Sequence, residues 1–220
     1  ISRTLFLFIQ YIITFCLIVV ALFFIRQLNM MLHTDLGYRT KDIVTCQFLS
    51  DKTYYSREET EKEWNKRRET MIHQEQVIKQ KMDECPLFVS WAYGILPINK
   101  EINLEFTYNG EKHKMATMVV NKKYMDILGL KLEQGREWND SDQSKEYKMI
   151  INETAQRLFN IKNIKEASLL PESRLWWEPG PNMNLEENPP LQVIGVVKDF
   201  RTGHLSKGDI PLAILYGGKE

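Results

Sequence analysis

His33, His73, His113 and His204 are the residues of this sequence best suited to ligate a metal or move a proton, but they stand far apart. None sits at metal-ligand spacing with a Cys or a carboxylate, so they read as surface histidines. Asn139-Asp140-Ser141-Asp142 offers oxygens of the kind that bind calcium, yet the Gly that turns such a loop and the distal Glu that closes it are missing. A solvated turn explains it as well. Asp199-Phe200 would begin a magnesium-holding Asp-Phe-Gly turn, but Arg201 follows and no catalytic loop accompanies it. Gly217-Gly218-Lys219 lacks the upstream Gly and the hydroxyl residue of a phosphate loop, and no Gly-x-Ser-x-Gly elbow is present. Asn152-Glu153-Thr154 is formally a glycosylation sequon, though its Asn is better used as a helix cap. No catalytic residue, no cofactor-binding residue and no metal ligand is therefore assigned, and the reading is of a protein that is not an enzyme.

The elements around these residues begin with a run that changes the question. Leu5 to Ile25 carries no charge, Gly or Pro over 21 residues. As a helix it would be about 31 Å long, close to the ~30 Å hydrocarbon core of a bilayer. Apolar residues fall on every face, as suits a lipid-facing helix better than one edge of a soluble core. A cleaved signal would be shorter and would end in a small-x-small site, where this run continues into Arg26-Gln27-Leu28. It reads as a membrane anchor. Since the sequence opens on Ile1 and stops at Glu220 without a closing signal, it also reads as a piece of a longer membrane protein.

Composition bounds the remainder. With 29 basic and 29 acidic side chains the net charge is zero, and no electrostatic case exists for a nucleic-acid partner. Three cysteines are too few for a disulfide scaffold. Cys16 lies in the span, while Cys46 and Cys85 either pair in an oxidising compartment or are two buried thiols. Arg3 flanks one end of the span and Arg26, Arg39 and Lys41 the other. Charge alone weakly favours a cytoplasmic domain, a rule with little force for long domains.

Segment by segment, the pattern predicts an α+β domain behind the anchor. The helix should run on as a stalk from Gln27 to Leu36, with Gly37 as its stop. Asp42 to Leu49 alternates like a strand. Ser56 and Glu59 form a capping box for a helix from Arg57 to Asp83, ended by Pro86. Its narrow apolar face (Trp64, Met71, Ile78, Met82) would lie on a sheet, or else meet a coiled-coil partner. Leu87 to Tyr93 reads as a strand. Asn109-Gly110 predicts a type I′ hairpin between Asn103–Tyr108 and Glu111–Val120. A short helix around Tyr124 to Leu128 should end at Gly129. A strand over Lys148 to Ile151 should meet a helix that Asn152 caps and that runs to Phe159. A loop from about Ile161 to Pro190 holds five of the eight prolines and Trp176-Trp177, which either anchor a partner or cover the domain's own core. Gln192 to Val197 and Leu212 to Tyr216 close the set as strands. The domains are residues 1–36, anchor and stalk, and residues 37–220.

Three segments together resemble one family. They are Gln10 through Gly37, ending in the run DLGY; Val119 to Phe159, with VVNKKYMDILGLKLEQGREWNDSD and MIINETAQRLF; and VIGVVKDFRTGHL from Val193 to Leu205. They are similar to the FtsX-like, MacB-type ABC transporter permeases of Bacteroidetes style, specifically to the periplasmic core domain and the transmembrane helix before it. The resemblance implies an inner-membrane permease subunit with the residues after about 36 in the periplasm. It implies a separate cytoplasmic ABC ATPase as partner, a permease dimer or second permease half, a partner in the periplasm, and lipid around Leu5 to Ile25. Such permeases turn ATP-driven dimer closure into motion of an external domain, to extrude a substrate or activate a partner. Gly129, Gly135 and Gly195 would then serve turns or close packing, and Asn152 a cap. The reading from another class is the ligand-sensing extracytoplasmic domain of a membrane-anchored receptor.

Overall fold

The structure, a computed structural model, describes residues 2–46, 61–92, 94–95, 103–139, 147–172, 189–202 and 208–217. The chain divides into two compact units, Ile1–Leu36 and Gly37–Glu220.

The first unit is α1, Ser2–His33, a helix of 32 residues. Among the described residues it is the one helix long and apolar enough to cross a membrane. Its apolar side chains are exposed on every face, from Leu5 to Leu32. Thr14 Oγ1 donates to the Gln10 carbonyl at 2.9 Å, so the hydroxyl is satisfied inside the helix and leaves the surface apolar. The helix ends at His33, short of the Leu36 expected. Its last turn is closed by side chains: His33 Nδ1 bonds the Asn29 carbonyl at 2.8 Å and Thr34 Oγ1 donates to the Met30 carbonyl at 2.6 Å. Gly37, with φ +79°, is not a cap of this helix.

The second unit is a sheet with helices on it. Its strands are β1 (Gly94–Ile95), β2 (Asn103–Tyr108), β3 (Glu111–Val120), β4 (Leu132–Gly135), β5 (Lys148–Asn152), β6 (Ser168–Pro171), β7 (Leu191–Val197) and β8 (Leu212–Tyr216). Its helices are α2 (Glu61–Asp83), α3 (Lys122–Leu128) and α4 (Glu153–Leu158). Pairing runs β3–β2–β6–β7–β5–β8 and returns from β8 to β3, so six strands close on themselves. The β3–β8 and β5–β7 pairs are parallel and the other pairs of this ring are antiparallel. Both faces are covered, which is why β5 and β8 read as nearly continuous apolar runs. Met115, Met149, Ile151, Ala213 and Leu215 meet Ala155 and Phe159 on one side. Met118, Ile150, Leu212 and Ile214 meet Tyr124, Met125, Leu128, Trp138 and Phe200 on the other. In β7 the alternation changes phase: Met149 pairs with Val193 but Ile150 with Gly195, and the extra residue is a bulge. Hence Leu191, Val193 and Val196 share one core while Ile194 and Val197 face the other.

The hairpin forms at Asn109 and Gly110, whose φ angles are +51° and +84°. Gly129, at φ +64°, ends α3, which Asn121 caps by accepting from the Tyr124 amide at 2.9 Å.

Other expectations are corrected. Ile43 to Cys46 is not a strand, having no neighbour to pair with, and Val44 is 77% exposed; residues 47–49 and the capping box at Ser56 and Glu59 lie outside the described residues. Leu87 to Ala92 is turn and irregular chain, with Leu87 85% exposed, and the pairing falls instead on Gly94–Ile95. None of the described side chains of α2 is buried, so those add nothing to the sheet's core; Met71, Ile78 and Met82 are half-buried, and the Trp64 side chain lies outside the described residues. The stretch expected to be a loop holds a 3-10 turn at Ile164–Glu166 and the strand β6. Trp176-Trp177 lies outside the described residues.

Candidate functional site

Among the described residues, those that could do chemistry are not gathered. Among the described residues no group of His, Cys, Asp and Glu could hold a metal ion. His33 belongs to α1, His73 is exposed on α2, and His113 lies on β3 with its ring edge-on to Phe159 at 5.1 Å. His204 and Asp140 to Asp142 lie outside the described residues. Cys16, Cys46 and Cys85 stand as free thiols. Asn152 is only 1% exposed, so the sequon is out of reach of a glycan-transferring enzyme.

What the fold does gather is a polar node at the start of α4. Asn152, the last residue of β5, is there because a strand that turns straight into a helix needs an acceptor for the first free amides. Its Oδ1 accepts from the Ala155 amide at 3.0 Å and from the Leu212 amide at 2.8 Å. Its Nδ2 donates to the Ile210 carbonyl at 2.8 Å. One side chain thus caps α4 and fixes the start of β8.

Asp199 does the same from the other side. It follows β7 and sits beside the first turn of α4, 45 positions away in sequence. The Thr154 amide donates to its Oδ1 at 2.9 Å, and Thr154 Oγ1 donates to its Oδ2 at 2.8 Å. Arg157 donates to the same Oδ2 at 2.8 Å and to Thr154 Oγ1 at 2.7 Å. Glu153 returns the contact, accepting from the Asp199 amide at 3.1 Å. A carboxylate at a helix N-terminus is favoured by the unpaired amides there. With its donors in place Asp199 is a fastener.

This node holds the chain where it enters the second unit. A Cβ on Gly37 would meet the Asp199 carbonyl oxygen and the Phe200 Cβ, each at 2.9 Å, and Gly37 has φ +79°. Only glycine fits both demands. Tyr38 then packs edge-on to Phe200 with centroids 6.2 Å apart, and the Arg39 amide donates to the Leu128 carbonyl at 2.7 Å. Burial pushes the Tyr38 hydroxyl pKa upward, so it stays neutral. Gly135 and Gly195 face each other across β4 and β7, where a Cβ on Gly135 would lie 2.2 Å from the Ile194 carbonyl oxygen.

A second fastener closes β2 on β6. Glu172 accepts from Lys112 and from Thr107, and its amide donates to the Glu105 carbonyl at 2.8 Å. The Lys112 bond, then the Thr107 bond, hold the Glu172 carboxyl below its ordinary range, and the same bond raises Lys112.

The sequence showed Asn152 as a cap because its amide partner lies three residues on. It did not show Asp199, whose partners are distant. The signal available was a conspicuous acidic residue after an apolar strand, which reads equally as a fragment of a metal-binding turn.

Several solved structures are similar to this chain. The extracellular domain of the noncanonic ABC-type transporter YknZ from Gram-positive bacteria is 19% identical, over 53% of this chain and 50% of that one, with a TM-score of 0.37. The periplasmic region of MacB from Actinobacillus actinomycetemcomitans is 17% identical over 54% of this chain and 56% of its own, at 0.35. A domain of a putative permease protein from Porphyromonas gingivalis is 18% identical over 59% and 54%, at 0.36. This chain spans about half the length of each of them. No family model and no curated protein matches the chain.

Proposed function

We propose that the chain is the anchor and periplasmic core domain of an FtsX-like, MacB-type permease subunit. On this reading α1 crosses the inner membrane and residues 37–220 stand in the periplasm. The domain passes motion driven by a cytoplasmic ABC ATPase to a substrate or partner outside.

The observation that supports it most is where the signature segments meet. Asn152 to Arg157 from one and Asp199-Phe200 from the other bond into a single node. That node clamps Gly37, the first residue of the domain after the anchor. On this reading a displacement of the anchor would act on a point tied by hydrogen bonds to β5, β7, α4 and β8.

The test is purification of the full parent protein from its own membranes in mild detergent. Co-purification of a separate ABC ATPase subunit is expected, with a reporter fused after Leu49 active as alkaline phosphatase. A kinase or cyclase module on the same chain, or a reporter active only in the cytoplasm, would overturn the proposal.

A further inference from the structure

We infer that Arg39, Lys41, Lys131 and Lys198 form a seat for the anionic headgroups of the bilayer. The inference rests on α1 being a membrane anchor, and on nothing else in the proposed function.

These four residues come from three separate segments whose backbones the fold brings together. The Arg39 amide donates to the Leu128 carbonyl at 2.7 Å, and a Cβ on Gly129 would lie 4.0 Å from the Arg39 Cβ. Two residues after Gly129, the Lys131 carbonyl accepts from the Lys198 amide at 2.8 Å. Lys198 in turn adjoins Asp199, against which Gly37 is pressed. Lys41 follows Arg39 at a turn whose second residue, Asp42, has φ +63°. All four side chains are exposed, and among the described residues none of them makes an ion pair. The lysine nearby that does is Lys122, held by Glu137 at 3.2 Å and Asp126 at 3.6 Å. Those two carboxylates are thus occupied, Asp199 is taken up by Thr154 and Arg157, and Asp35, Asp42 and Glu133 are the other acidic residues near the four in sequence.

A protein of zero net charge has no general reason to collect four basic residues outside ion pairs in one place. Chain connectivity supplies the reason. From Ile25, the end of the apolar run, to Arg39, the chain can reach about 35 Å: helical rise to His33, then extended chain. The cluster is therefore tethered so that it can reach a bilayer surface. Each Lys or Arg near an anionic surface multiplies partition by about fivefold, so four, less the repulsion of two acidic neighbours, Asp42 and Glu133, would shift the docked-to-free ratio by about 25-fold. Val44, 77% exposed and three residues beyond Lys41, is placed to follow the charges into the headgroup layer. The same arrangement explains why basic residues stand on this side of the span, where the charge rule alone would argue against translocation.

The test uses the full chain in nanodiscs. Cys16→Ser and Cys85→Ser leave Cys46, an exposed thiol just beyond the cluster, as the sole labelling site. A fluorophore there is quenched by nitroxide carried on the lipid headgroups. In discs of phosphatidylcholine with about a third phosphatidylglycerol, quenching should exceed that in pure phosphatidylcholine about threefold. It should vanish near 1 M salt, where the Debye length is about 3 Å. Replacing all four residues by Gln should abolish the difference, while Lys162→Gln with Lys165→Gln should leave it. Equal quenching in the two lipids, or indifference to salt and to the fourfold substitution, overturns the seat. Failure of the unmodified chain to enter discs overturns the anchor and the seat together.

Discussion

Replacing Asn152 by Ala should be the most damaging single polar change in the domain. Asn152 is 1% exposed and makes three hydrogen bonds, accepting from the Ala155 and Leu212 amides and donating to the Ile210 carbonyl. Ala leaves two buried donors and one acceptor unpaired, at ~1–3 kcal/mol each before the site relaxes. Those costs are not additive, so a net loss of about 3–5 kcal/mol is expected, much of the ~5–15 kcal/mol that a domain has. Asn152→Ser can keep the cap on Ala155 but not the link to β8, and should cost about half as much. Asn152→Asp keeps both accepted bonds yet sets a buried carboxylate oxygen against the Ile210 carbonyl, so it should be as harmful as Ala. The assay is urea unfolding of the full chain in mild detergent, followed by tryptophan fluorescence, which Trp138 reports from the core. A loss below about 1 kcal/mol for Asn152→Ala would refute the reasoning, because it would mean that water or a shifted backbone replaces all three bonds.

Other outcomes follow from the same geometry. Gly135→Ala brings a Cβ 2.2 Å from the Ile194 carbonyl oxygen at φ +74°, and should cost about 3 kcal/mol or prevent folding. Gly110→Ala, at φ +84° with nothing within 4 Å, should cost only about 1–2 kcal/mol in the same unfolding assay. The Glu172 carboxyl, held low by Lys112 and Thr107, should titrate below the ordinary glutamate range by carbon-13 NMR. A depressed folded value means that its stabilisation is present above the unfolded pKa and is lost as pH falls through the folded one. Glu172→Gln should accordingly flatten the acid limb of the stability profile.

The parts of the fold that were legible are those whose cause is local. Asn109-Gly110 dictates its own turn, Gly129 ends α3 by its own backbone freedom, and β5, β7 and β8 announce burial on both faces by apolar runs. What was illegible depends on distant partners. β4, Leu-Glu-Gln-Gly, is exposed along most of its length and is a strand only because Gly135 fits against Gly195. β6 is four residues that end in a proline, yet it bridges β2 to β7. Conversely, Ile43–Cys46 and Leu87–Ala92 have strand-like composition and no neighbour to pair with. In the candidate site Asn152 was readable as a cap, whereas its bonds to Ile210 and Leu212 span 58 and 60 positions and leave no mark on the local pattern. Asp199 belongs to the same class.

The central claim is that the domain is pulled through the node at Gly37. The direct measurement is the number of transport events per ATP hydrolysed by the parent protein reconstituted with the ATPase proposed as its partner, compared between wild type and Gly37→Val. Valine at φ +79° would press on the Asp199 carbonyl and Phe200 and loosen the clamp without touching α1. The account predicts that the ATPase still binds and turns over while transport per ATP falls at least tenfold. Transport per ATP equal to wild type, at equal membrane abundance, would contradict it.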